Sequence, residues 1–86
     1  MKIVRKPIDV VAIFKRGELP VPVRARMEID GKEIVTKVDR IIRVQKQASA
    51  GKGEILYVCQ SVIYNVDRMY ELKYLIDTFQ WLLYKI

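Results

Sequence analysis

The chain has 86 residues, of which 51% are hydrophobic and 30% are charged, and its 16 basic and 10 acidic residues give a net charge of +6. That length accommodates one domain, residues 1–86, with a modest core. The chain contains no His and one Cys, so it cannot by itself form a His/Cys zinc site, a Ser-His-Asp triad, a Cys-His pair or an internal disulfide. We therefore expect a protein that is not an enzyme and holds no metal or cofactor, with a function that depends on its surface or on a partner.

The first predicted strand covers residues 7–14. Its apolar side chains occupy both alternating sets of positions, which is typical of a central strand or of a strand covered on both faces. Residues 16–20, which include Gly17 and Pro20, then predict a turn.

The clearest pattern is a hairpin over residues 21–40. Apolar residues alternate with polar or charged ones from Val21 to Asp30, as in a half-buried strand. A tight turn follows, because Gly tolerates the positive φ that such turns require. An even loop, either Asp30-Gly31 or Gly31-Lys32, brings the apolar positions of both strands to one face. These positions are Val23, Ala25, Met27, Ile34, Thr36 and Val38.

The segment after this hairpin has two interpretations. Residues 34–40 are rich in β-branched side chains and favour a strand, and the break in phase at Ile41-Ile42 predicts a bulge or bend of the kind that curls a small sheet into a barrel. The alternative is a short helix over residues 39–46, because several apolar residues here also have helical spacing. Residues 47–53 are small, polar and glycine-rich, and we predict a mobile loop there.

The last third of the chain predicts three strands in a meander. Residues 54–64 are rich in β-branched and aromatic residues, and turn chemistry follows over residues 65–67. The next two runs alternate on either side of Asp77-Thr78, which predicts a second hairpin. In this hairpin Tyr74 faces Trp81 and Leu72 faces Leu83.

Together these elements predict an all-β fold. Six candidate strands without a long helical pattern favour a small antiparallel barrel or a strongly bent meander sheet of five to six strands. The alternative fold class is α+β, with the short helix over residues 39–46. At this chain length the aromatic residues of the C-terminal part are expected to lie mainly in the core, and Cys59 is expected to be a small buried hydrophobic residue.

Short motifs spread over most of the chain resemble those of an uncharacterised bacterial family of small all-β domains. They are Pro7-Ile8-Asp9-Val10, Gly17-Glu18-Leu19-Pro20, and Tyr70-Glu71-Leu72 followed by Asp77 and Trp81-Leu82-Leu83. The chain departs from the family pattern in a longer stretch over residues 43–53. Some members are encoded near translesion-polymerase genes, so the resemblance implies a DNA-repair neighbourhood.

Positive charge is concentrated in the first part of the chain. Residues 1–52 contain 13 basic and 6 acidic residues, whereas residues 53–86 contain 3 and 4. In the predicted first hairpin, basic side chains face one another across the strands, which is unfavourable unless an anionic partner offsets the repulsion. The predicted site for nucleic acid or another polyanion consists of Arg24, Arg26, Lys37, Arg40 and Arg43. The alternative is a solvated outer face that nearby acidic residues interrupt.

The edges of a small open sheet suggest a function of a different class. An edge strand can accept a strand from a partner protein or from a second copy of the chain, so a protein-interaction module or homodimer is the alternative to polyanion binding. Residues 1–6 show no signal-peptide pattern, and no apolar run reaches the length of a membrane span. We therefore expect a cytoplasmic protein without a membrane span.

Overall fold

The computed structural model describes residues 1–86 and contains seven strands and no helix. The strands are β1 (Ile3–Ile13), β2 (Val21–Ile29), β3 (Lys32–Lys37), β4 (Arg40–Ser49), β5 (Lys52–Ile63), β6 (Val66–Leu75) and β7 (Gln80–Lys85). The all-β prediction is confirmed, and the alternative helix over residues 39–46 is wrong because β4 occupies that segment. The structure contains no helix long and apolar enough to cross a membrane.

The predicted mobile loop over residues 47–53 is also wrong. Strand β4 continues to Ser49, which lies opposite Lys52 at the start of β5. The turn consists of two residues, Ala50 and Gly51, with φ angles of 52° and 77°. A two-residue hairpin turn of this kind requires positive φ at both positions, which Gly51 adopts freely and Ala50 adopts despite its Cβ atom. The composition that indicated a loop therefore belongs to a tight turn and to the strand ends beside it, which accounts for a seventh strand.

All seven strands belong to one antiparallel sheet, in the order β3-β2-β1-β7-β6-β5-β4. Strand β1 changes partner along its length: residues 9–13 pair with β2, whereas residues 3–8 pair with β7. We call β2, β3 and residues 9–13 the small region. The large region comprises β4 to β7 and residues 3–8. The first strand is an interior strand of the sheet, between β2 and β7, which agrees with one of the two interpretations of its sequence.

The sheet bends so strongly that its two edges meet at one corner without closing into a barrel. Strands β3 and β4 are the edges, yet only Val38 and Asp39 separate them in the chain. The Val38 N–H donates to the Val23 carbonyl at 3.0 Å, and the Asp39 N–H donates to the Gln60 carbonyl at 3.1 Å. The chain therefore passes from a strand paired with β2 to a strand paired with β5 within two residues.

The first predicted hairpin is confirmed. Ile29 lies opposite Lys32, so the turn is Asp30-Gly31, with φ angles of 51° and 78°. Met27 lies opposite Ile34, as the even loop predicts. The alternation of buried and exposed side chains in this hairpin fails only at the start of β2. A bulge there leaves Val23 without a partner in β1, and Pro22 is fully buried instead.

The second predicted hairpin has the expected register, with Tyr74 opposite Trp81 and Leu72 opposite Leu83. Its turn is longer than two residues and covers residues 76–79. Phe79 was expected within the last strand, but it lies in this turn with a φ of 56° and is 80% exposed. The bulge expected near Ile41-Ile42 is also present, as a shift of register between Ile41 and Arg43.

A single core lies between the two regions. Its members are Ala25, Met27, Ile29, Val38, Ile55, Tyr57, Cys59, Ile63, Tyr70, Leu72, Tyr74, Trp81 and Leu83. The prediction that most C-terminal aromatic residues are buried is confirmed. The ring centroids of Tyr74 and Trp81 lie 4.8 Å apart, and the Tyr57 hydroxyl donates to the Pro20 carbonyl.

Candidate polyanion-binding face

The outer face of the small region is formed by side chains that point away from the core. Cross-strand pairing arranges them in three rows, which are Val11, Arg24 and Lys37; then Asp9, Arg26 and Val35; then Glu28 and Glu33. All eight side chains are exposed. The face therefore changes along the strands from a positive row through a mixed row to a negative row.

The positive row contains an unneutralised pair of cations. Arg24 lies directly opposite Lys37, and neither side chain forms an ion pair. Like charges directly opposite each other in a sheet are destabilising. The third member, Val11, is 62% exposed although it lies on an interior strand of the sheet. Strand β1 is thus not covered on both faces, which was the other interpretation of its two apolar sets.

Arg26 has a different environment from Arg24. Its Nη1 lies 3.5 Å from Oδ2 of Asp9, and its Nε lies 3.8 Å from Oε1 of Glu33. The three side chains are at least half exposed, so these ion pairs are weak and screened by salt. Carboxylates from the strands on both sides nevertheless offset the charge of Arg26, which makes it a weaker candidate than Arg24 for contact with an anion.

The backbone of Lys37 is held in place by a buried chain of hydrogen bonds. The Ser61 hydroxyl donates to the Lys37 carbonyl at 2.7 Å. Because that bond uses the only hydroxyl proton of Ser61, the Tyr70 hydroxyl is the donor in the 2.6 Å contact between Tyr70 and Ser61. Burial raises the pKa of Tyr70 from 10.0 to about 12, so the donor proton stays in place well above neutral pH.

The five predicted residues do not all lie on this face. Arg40 and Arg43 belong to β4, where they lie opposite Gln60 and Val58 on the outer face of the large region. The structure therefore brings Arg24, Arg26 and Lys37 together and separates Arg40 and Arg43 from them across the corner.

Two further cations lie at the same end of the small region as the positive row. Lys15 and Arg16 lie in the connection between β1 and β2, which begins just beyond the Ile13–Val21 pair, and both are exposed. The sequence pattern predicts only a turn over residues 16–20 of this segment. The signal that identifies the two cations is the register of β1 against β2, which places the connection at the same end of the small region as Arg24.

A groove of about 560 Å³ opens where β1 leaves β2 and turns to β7. Met27 and Trp81 are among the residues that line it, and charges of both signs surround it. The basic residues are Lys6 and Arg26, and the acidic residues are Asp9, Glu28 and Glu33. This mixture gives the groove no clear preference for an anion.

Cys59 is a fully buried hydrophobic residue, as expected. Burial raises the pKa of its thiol to about 12, so the thiol is neutral at physiological pH. Because this thiol is buried, it takes no part in contacts at the surface. The outer face of the small region offers electrostatic attraction and hydrogen bonding from exposed cations.

No family model, no curated protein and no solved structure matches the chain. The resemblance to a bacterial family of small all-β domains thus stays a prediction.

Proposed function

We propose that the protein is a non-catalytic binding module for a polyanion such as nucleic acid. The observation that carries this proposal is the direct opposition of Arg24 and Lys37 on an exposed face with no carboxylate to neutralise them. A phosphate group bound between Arg24 and Lys37 attracts both cations and so offsets the repulsion between them. Its binding also releases the counterions that surrounded the polyanion in solution.

The neighbouring residues define the direction of the proposed contact. Lys15 and Arg16 lie in the connection beyond the positive row on one side, whereas Glu28 and Glu33 lie opposite each other two rows away on the other side. A polyanion is attracted to the first end and repelled from the second. We therefore place its path across the end of the small region that carries the connection between β1 and β2.

The test is a titration of fluorescently labelled single- and double-stranded DNA at several salt concentrations. We expect binding of at least one of them at low salt, with an affinity that falls as salt rises. Each phosphate contact contributes roughly 0.7 to 0.9 to the slope of log K against log salt concentration. The double variant Arg24→Glu and Lys37→Glu should therefore bind more weakly and show a slope smaller by about 2.

The matched control is the double variant Lys2→Glu and Lys52→Glu. It changes the net charge by the same amount at two exposed positions outside the small region. If both double variants weaken binding equally, net charge and not this face attracts the DNA. If the unmodified protein binds neither form of DNA nor heparin at low salt, polyanion binding is wrong.

A further inference from the structure

The open edge of β4 is the longer of the two sheet edges. Strand β4 has ten residues and pairs only with β5, whereas β3 has six residues. In a two-residue hairpin the two residues that flank the turn form backbone hydrogen bonds with each other. From there along each strand, the backbone N–H and C=O groups of successive residues point alternately toward the partner strand and away from it. Because Ser49 flanks the turn, the N–H and C=O groups of Val44, Lys46 and Ala48 point to the open side.

The side chains of this edge are basic and apolar. Arg40, Arg43 and Lys46 give β4 three positive charges, and the strand contains no acidic residue. Val44 lies opposite Tyr57 and so faces the core side of the sheet, yet it is 43% exposed. The edge thus presents unpaired backbone groups beside an exposed aliphatic side chain and uncompensated cations.

These charges oppose self-association through β4. If two copies paired along this edge, each would bring three cations and no anion to the interface, and like charges across neighbouring strands are destabilising. Basic side chains on an edge strand are also a common means of preventing edge-to-edge aggregation. A strand that carries carboxylates has the opposite effect, because it neutralises the edge while it completes the backbone hydrogen bonds.

We propose that the β4 edge binds an extended acidic segment of a partner protein as an additional strand of the sheet. In an antiparallel arrangement the segment places one carboxylate opposite Arg43 on the outer face and another opposite Lys46 on the core side. An apolar residue between them lies opposite Val44. Backbone hydrogen bonds supply affinity and the alternating side chains supply specificity, as in other cases of strand addition.

The experiment uses the full chain and the synthetic peptide Thr-Ser-Thr-Glu-Thr-Val-Glu-Thr-Ser-Thr, which has this spacing. Amide hydrogen exchange and chemical shifts are followed by NMR during a titration at low salt. We expect protection of the Val44, Lys46 and Ala48 amides of about tenfold or more when the peptide is in excess. A peptide with Lys in place of both Glu residues, and one with Pro in place of Val, should give no protection.

Variants of the edge identify the source of specificity. The double variant Arg43→Glu and Lys46→Glu should bind the Glu peptide about tenfold more weakly and should bind the Lys peptide instead. Both positions are exposed, so the variant should fold. The milder pair Arg43→Ala and Lys46→Ala repeats the test without new charges. The variant Arg24→Glu and Lys37→Glu should retain peptide binding, which separates this surface from the proposed polyanion face.

Several results overturn the proposal. One is the absence of any change at the β4 amides with excess Glu peptide, and another is protection confined to β3. Equal binding of the Glu peptide by the Arg43→Glu and Lys46→Glu variant excludes the charge complementarity. Dimerisation of the unmodified chain through β4, or protection of the β4 amides by a DNA oligonucleotide but not by the peptide, assigns this edge a different occupant.

Discussion

The outer faces of the large and small regions differ in how far the chain covers them. In the large region Leu56, Val58 and Leu82 point away from the core, yet each is no more than 8% exposed. In the small region Val11 and Val35 occupy comparable positions and are each 62% exposed. The same alternation of side chains thus gives the large region an outer face that is covered around Leu56, Val58 and Leu82, whereas the outer face of the small region is left open.

Long polar side chains complete the cover of the large region. The Nζ of Lys73 lies 3.2 Å from Oε2 of Glu54 and 3.8 Å from the ring centroid of Tyr84. The Lys73 and Glu54 side chains are each 8% exposed. The small region has no comparable ion pair, since those of Arg26 are largely exposed. We infer that the ion pair and the buried side chains around it make the outer face of the large region contribute more to stability than the outer face of the small region.

The largest expected effect is the loss of the buried ion pair. Replacing Lys73 with Met leaves the Glu54 carboxylate buried without its cation, so the free energy of unfolding should fall by about 3 kcal/mol in urea denaturation. The double variant Glu54→Leu and Lys73→Met should recover most of that loss, because no unpaired charge remains. If the double variant is no more stable than the single variant, the ion pair does not explain the effect.

The next effect compares the two outer faces directly. Leu56→Ala should lower the free energy of unfolding by about 2 kcal/mol, because the side chain is buried. Val35→Ala should change it by no more than about 0.5 kcal/mol, because that side chain is exposed. Equal losses in the two variants, measured by the same denaturation experiment, contradict the contrast between the faces.

The core between the regions should become less stable at alkaline pH. Burial raises the pKa of Cys59 from 9.0 to about 12, and burial with the nearby Cys59 and Tyr74 raises that of Tyr57 from 10.0 to about 12. The unfolded chain therefore releases these protons at a lower pH than the folded chain. The contribution of these two groups to the free energy of unfolding is fully present below their pKa values in the unfolded chain, and it falls as the pH rises toward 12.

The Cys59→Ala variant separates the thiol from the tyrosines in this pH dependence. Between pH 9 and 10 the unmodified protein should lose about 1 kcal/mol more stability than this variant, because only the thiol has an unfolded pKa near 9. Denaturation curves across this interval provide the measurement. Parallel losses in both proteins contradict the assignment to Cys59.

The smallest effect distinguishes the two arginines of the small region. Arg24→Thr removes the repulsion with Lys37 and should raise the free energy of unfolding by a few tenths of a kcal/mol, whereas Arg26→Thr removes two weak ion pairs and should lower it by a similar amount. Added salt should reduce both differences. A loss of stability in Arg24→Thr would show that Arg24 already has a stabilising partner within the chain.

The sequence predicts most of the local structure because hairpins depend on neighbouring residues. Asp30-Gly31 and the alternation beside it suffice to place Met27 opposite Ile34. The same register made Lys37 a cross-strand neighbour of the basic residues of β2. The composition of residues 47–53, which are small and glycine-rich, fits both a loop and a tight hairpin turn. The sequence pattern therefore predicts a loop where the structure has a hairpin turn.

The sequence by itself determined the all-β class, the first hairpin and the concentration of positive charge. Only the tertiary structure decided that β1 divides its length between β2 and β7, that Asp9 reaches Arg26, and that Arg40 and Arg43 lie apart from Arg24. The reason is that a two-residue alternation specifies which face of a strand is buried but not which strand lies beside it. The environment of each charge depends on which strands are neighbours in the sheet, and that pairing joins strands far apart in the chain.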